Sequence, residues 1–127
     1  MAVRPSFTTG DIFTAANANI LAQAIVAINA QTGTAYTTVL SDVGKLLTIT
    51  NAAVQNVTIP PNSSVAYGVG DQINIMALST ATTTIVAGAG VTLNSNGAKL
   101  ILNGQYAVAT CLKTDTNTWV VVGNVKA

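Results

Sequence analysis

General acid–base work in proteins falls mostly to histidine, glutamate and aspartate, and this chain contains neither of the first two. Asp11, Asp42, Asp71 and Asp115 remain, each beside a glycine, serine or threonine, where a carboxylate usually accepts nearby backbone amides in a turn. Glycoside hydrolysis would need two of them brought together from distant strands, and nothing in their spacing does so. Gly88-Ala89-Gly90 is followed by neither a Lys-Ser/Thr pair nor a helical stretch, so it reads as a β-turn and not a phosphate loop. Cys111 is the single cysteine, which rules out an intrachain disulfide or a thiolate metal cluster. In an alternating run with Ala107 and Ala109 it reads as a small buried hydrophobe. Trp119, Tyr36, Tyr67 and Tyr106 could build a sugar platform, although isolated aromatics in strands more often fill cores. The expectation is a protein that is not an enzyme, with no cofactor and no metal site.

The charge content points the same way. Of 127 residues 7% are charged and 50% hydrophobic, against about 25% charged in an ordinary soluble domain. A surface so poor in charge is either kept soluble by hydroxyls and amides or covered by other subunits. Arg4, Lys45, Lys99, Lys113 and Lys126 are scattered and the net charge is +1, so no basic patch exists to neutralise phosphates, and nucleic-acid binding is not expected. The apolar run Ile20–Ile28 is too short and too rich in Asn and Gln to span a bilayer. Asp11 and a polar spacer separate it from Arg4, which is the wrong layout for a secretory signal.

Two kinds of element would position these residues. From Thr14 to Gln31 the apolar residues Ala18, Leu21, Ile25 and Ile28 recur at the a/d spacing of a heptad, with Thr14 as an N-cap and Gly33 as the stop. The stripe predicts one α-helix, lying on its own domain or forming a seam between copies. The polar back face of Asn17, Asn19, Gln23 and Asn29 favours the seam. Before it, residues 1–13 carry Pro5 and Gly10 and no period, an extended arm whose Val3, Phe7, Ile12 and Phe13 are candidate anchors on another chain.

After Gly33 the pattern alternates with period two. Strands are expected over 35–40, 45–50, 54–59, 72–78, 82–87, 91–93, 98–102, 105–113 and 118–122, with Leu47 and Ile49 on one face and Ile73, Ile75 and Ala77 on another. Pro60-Pro61 stops the third, because proline offers no amide to a ladder. Residues 35–40 and 45–50 read as a hairpin, as do 98–102 and 105–113 across Asn103-Gly104, where a type I′ turn needs positive φ twice. Continuous Trp119-Val120-Val121-Val122 predicts burial on both faces. The fold class expected is therefore mainly β: arm and helix in residues 1–33, then a compact antiparallel β-sandwich or barrel of about 8–9 short strands in residues 34–127.

The opening FTTGDIFTAAN with its Ile/Ala/Asn helix resembles the N-terminal segments of tailed-bacteriophage tail-fibre and other virion proteins. The stretches AYTTVLSDVGKLLTITNAA, VTIPPNSSVAYGVGDQINI, VAGAGVTL and YAVATCLKTDTNTWVVVGNV are similar to a β-module of phage fibre, head-fibre and decoration proteins. The resemblance implies a homotrimeric virion component, assembled in the host cytoplasm and attached to the particle by its N-terminal part. Ala18, Leu21, Ile25 and Ile28 would then line the oligomer interface. Val3, Phe7, Ile12 and Phe13 would make the attachment to a capsid, tail or baseplate protein, with a host-surface glycan as a further candidate partner. The chain is short and has no shaft repeats, which favours a capsid decoration or head-fibre protein over a tail-fibre or baseplate component.

Overall fold

The computed structural model of the chain describes residues 27–127. The arm residues Val3, Phe7, Ile12 and Phe13, and Ala18, Leu21 and Ile25 of the helical stripe, lie outside the described residues. The described part holds eleven strands: β1 Ile28–Gln31, β2 Ala35–Thr37, β3 Leu46–Ile49, β4 Gln55–Ile59, β5 Gln72–Ala77, β6 Thr83–Ala87, β7 Thr92–Ser95, β8 Ile101–Leu102, β9 Val108–Asp115, β10 Thr118–Gly123 and β11 Val125–Lys126. They form a six-stranded sheet in the order β1-β3-β5-β9-β10-β7 and a five-stranded sheet in the order β11-β8-β6-β4-β2.

From β1 to β9 successive strands alternate between the two sheets. β1, β3 and β5 pair in parallel in one layer, and β2, β4 and β6 pair in parallel in the other. Parallel neighbours need a long crossover. Here the crossover is the intervening strand of the opposite sheet, so the chain winds as a short two-sided β-coil. β9 then pairs antiparallel with β5 and β10 with β9, while β8 and β11 continue the second sheet antiparallel, which ends the coil. The structure is mainly β and two-layered as expected, but mixed and not antiparallel. Neither anticipated hairpin forms: β2 and β3 lie in different sheets, as do β8 and β9. Gly104 has φ +145°, and the Asn103 amide donates to the Asn124 carbonyl at 3.0 Å, so Asn103-Gly104 opens a crossing between layers. The turn at Asp115–Thr118 does join an antiparallel pair, β9 and β10.

The helix expected to run to Gln31 does not include its last residues, because Ile28–Gln31 is β1. The reason lies in the side chains. In a strand, Ile28 and Ala30 point out while Asn29 and Gln31 point in. Inside, the Asn29 amide donates to Asp42 Oδ1 at 2.8 Å and Gln31 donates to Asn29 Oδ1 at 2.9 Å. The six-stranded sheet therefore takes in four residues grouped by sequence with the arm and helix in the 1–33 division.

Between the layers lies one core. Leu47, Ile49, Ile73, Ile75, Ala77, Ala109, Cys111, Trp119 and Val121 project from the first sheet against Val57, Ile59, Ile85 and Leu102 of the second. Trp119 meets Tyr67 edge-on, with ring centroids 5.2 Å apart at 86°. β10 alternates instead of being buried on both faces: Trp119 and Val121 are enclosed, whereas Val122 is 54% exposed. Where β10 ends, Gly123 (φ +138°) lies against β9 so closely that a Cβ would collide with the Val108 carbonyl oxygen and come within 2.7 Å of Ala109 Cα. Gly70 (φ +93°) has nothing within 4 Å of the same added atom. Gly123→Ala should therefore lose about 2–4 kcal/mol of unfolding free energy in denaturant melts, against about 1 kcal/mol for Gly70→Ala, where only the backbone conformation is penalised.

Candidate functional site: the outer face of the six-stranded sheet

The carboxylates within the described residues act locally. Asp42 is fully buried and accepts hydrogen bonds from the Val39 amide (2.9 Å), the Tyr36 hydroxyl (2.7 Å) and Asn29 Nδ2 (2.8 Å). Asp71 accepts the Gly68 amide at 2.9 Å and Asp115 the Thr116 amide at 2.8 Å. These three carboxylates share no partner in those bonds, and among the described residues no cluster of three or more His, Cys, Asp or Glu could hold a metal ion. Gly88-Ala89-Gly90 is the expected turn, closed by the Val91 amide on the Gly88 carbonyl at 3.0 Å. No sugar platform assembles around the tryptophan: Trp119 and Tyr67 are 1% and 4% exposed, and Tyr106, at 67%, stands in a loop after Gly104. No helix of the described residues is long and apolar enough to cross a membrane.

Lys113 is a surprise relative to the sequence, where it reads as one more scattered cation. It is 2% exposed and points inward from β9, its Nζ donating to Asn62 Oδ1 and the Tyr67 carbonyl, both at 2.7 Å. Buried ammonium groups need such acceptors to offset their lost hydration. The contact ties the segment after Pro60-Pro61 to the end of the coil. The inward parity of Lys113, two residues from Cys111 on the same strand, was the available signal.

The feature that stands out is a surface. Register fixes which side chains of the six-stranded sheet face away from the core. One row runs Ile28, Leu46, Asn74, Thr110, Val122, another Ala30, Thr48, Met76, Val108, and a third Gln72, Leu112, Val120, Asn94. No residue of these rows is charged. Ile28 is 67%, Val122 54% and Leu112 37% exposed, whereas Thr48, in the middle of the second row, is buried. The amide and hydroxyl at the centre satisfy each other, Thr110 Oγ1 donating to Asn74 Oδ1 at 2.7 Å. The outer face of the other sheet differs. Its rows run Thr37, Thr58, Val86 and Ala35, Asn56, Thr84, Ile101, Lys126, mixed polar and apolar with a charge at the end, as a solvated face would be.

At one edge of the uncharged face, where β10 runs beside β7, a cleft of about 460 Å³ opens between Asn94, Asn96, Val120, Val122 and Val125. Ser95 lies in its wall, with an Oγ that is out of solvent and has no hydrogen-bond partner. At the opposite edge of the same sheet stands Ile28 on β1. Of the residues expected at an oligomer interface, Ile28 alone is within the described residues, and it sits on this face. Compared with known proteins, the chain matches no family and no curated protein at a significant level.

Burial also sets how the fold responds to alkali. Loss of hydration, reinforced by the Asp42 carboxylate, pushes the Tyr36 hydroxyl from 10.0 to about 12. Burial pushes Tyr67 from 10.0 and Cys111 from 9.0 to about 12 as well. An unfolded chain releases these protons at the lower values while the native state keeps them, so the stability they contribute is complete below pH 9 and lost as pH rises towards 12. Equilibrium melts should show stability declining from about pH 9, with the onset in Cys111→Ala moved to about pH 10.

Proposed function

We propose that the chain is a structural, non-enzymatic component of a bacteriophage virion: a homotrimeric capsid decoration or head-fibre protein held to the particle by its N-terminal segment. One observation carries this reading, the uncharged outer face of the six-stranded sheet. In a chain with 7% charged residues, a wide parallel-rich sheet bearing exposed Ile28, Leu112 and Val122 is what a subunit shows when protein contacts replace solvent. The phage-like stretches supply the kind of assembly, and the N-terminal anchors Val3, Phe7, Ile12 and Phe13 supply the attachment. The enclosed Trp119 and Tyr67 give a glycan-binding or sugar-hydrolysing module no platform of the sort it would use.

Deletion separates attachment from folding. A chain beginning at Thr14 should keep the circular dichroism and sedimentation behaviour of the full protein, yet fail to join particles assembled without it. Phe7→Ala and Phe13→Ala should weaken incorporation most among single substitutions, since each ring can fill a pocket on a partner. Full occupancy by the truncated chain would remove the arm from the attachment and return the contact to the β-domain.

A further inference from the structure

We infer that Lys113 and Asn62 are a self-modifying pair, which closes into an intramolecular isopeptide bond between Lys113 Nζ and Asn62 Cγ once the chain has folded. The inference goes beyond the proposed function and does not depend on it.

The two side chains meet between the layers. Asn62 follows the prolines that end β4 of the five-stranded sheet, and Lys113 points inward from β9 of the six-stranded sheet. Its Nζ stands 2.7 Å from Asn62 Oδ1. An ammonium can only donate, so the atom it meets is the carbonyl oxygen of the amide. A C=O bond is about 1.23 Å long, which puts Nζ about 3–4 Å from Cγ, close to the separation of reacting atoms in a near-attack arrangement. Both partners are held in place. Nζ also donates to the Tyr67 carbonyl at 2.7 Å, and the same peptide group is fixed from its other side, the Gly68 amide donating to Asp71 Oδ2 at 2.9 Å. The Asn62 backbone amide donates to Asn117 Oδ1 at 2.8 Å.

The surroundings favour closure. The register partner of Lys113 on β10 is the enclosed Trp119, so the ammonium lies beside an indole and not in water. Among the described residues no carboxylate comes within ion-pair distance of Nζ, and only neutral oxygens offset its lost hydration. Closure removes the buried charge. The Nζ lone pair adds to Cγ, the bond from Cγ to Nδ2 breaks, and the two protons that Nζ gives up are the two that the departing nitrogen gains. An ammonium side chain and a primary amide become a secondary amide and an ammonium ion, with no further reactant. Asn62 is partly exposed, so the ion leaves into water, which hydrates it. The bond would tie the layers together and restrict the unfolded chain as a disulfide does, a device that a chain with one cysteine lacks.

Mass spectrometry of the full chain tests this directly. Folded protein, incubated until its spectrum no longer changes, should weigh about 17 Da less than its sequence, the mass of one ammonia. Trypsin should then leave Lys113 uncut and release residues 46–99 joined to residues 100–126, with fragmentation placing the link at Asn62. The same chain held in denaturant should keep its full mass, because the pair is then no longer held together. Lys113→Arg keeps the cation but not the nucleophile, and Asn62→Ala removes the carbon attacked; both should keep their full mass, with the emission of the enclosed Trp119 reporting that they are folded. A folded wild-type chain of unchanged mass would overturn the inference. So would a loss of ammonia that leaves Lys113 open to trypsin, since Asn96-Gly97 and Asn103-Gly104 can each lose ammonia by ring closure onto their own backbone.

Discussion

In-register parallel pairing of β1 with β3 and of β3 with β5 is the constraint on which the rest of this molecule depends. Because each strand is offset from the next by a full circuit through the other sheet, one register decides the two faces of every turn together. Leu47 stacks on Asn29 and Ile75 within the core, and Leu46 stacks between Ile28 and Asn74 outside it. A slip of one residue would exchange the two sets. The antiparallel strands β9 and β10 inherit this division through β5, so the uncharged rows on the outside are as strictly determined as the core within.

Coils of this kind have ends, and the ends are where polar chemistry enters. At the β1–β2 end the interior is built from Asn29, Gln31, Tyr36 and Asp42, joined by hydrogen bonds of 2.7–2.9 Å, instead of the isoleucines and leucines of the later turns. A stacked-repeat core needs a terminal turn of different character, because its outer side has no next turn to bury it. The buried carboxylate of Asp42 is tolerated since three donors surround it, and it draws the first turn onto the β2–β3 connection. Lys113 does comparable work elsewhere, holding Asn62 and Tyr67 beneath the prolines that end β4. Both groups are explained by closing the fold.

The two outer faces divide the remaining labour. The hydroxyl- and amide-bearing face of the five-stranded sheet can meet water. The outward rows of the six-stranded sheet mix amides and hydroxyls with aliphatic side chains but carry no charge, and they leave Ile28, Leu112 and Val122 exposed.

Sequence by itself located nine of the eleven strands, with 35–40 and 98–102 drawn too long and β1 and β11 missed, and where alternation is clear it gave the inward residues: Leu47 and Ile49, then Ile73, Ile75 and Ala77, are all buried where period two puts them. It also determined the stop at Pro60-Pro61 and the local use of Asp71 and Asp115, because each rests on neighbours in the chain, and the alternation of 105–113 put Cys111 inward. Which strands pair was decided only in three dimensions. Alternation reports that a strand has a buried face and says nothing of its partner, so segments that read as hairpins became crossings between layers. Ile28–Gln31 fits a helical stripe when counted along the chain and became a strand because β3 offered its backbone and Asp42 offered acceptors to Asn29. Lys113 is buried because Asn62 and Tyr67 arrive from 51 and 46 residues away. The uncharged outer face exists only once six separate strands are laid side by side, for no single one of them carries enough apolar surface to announce it.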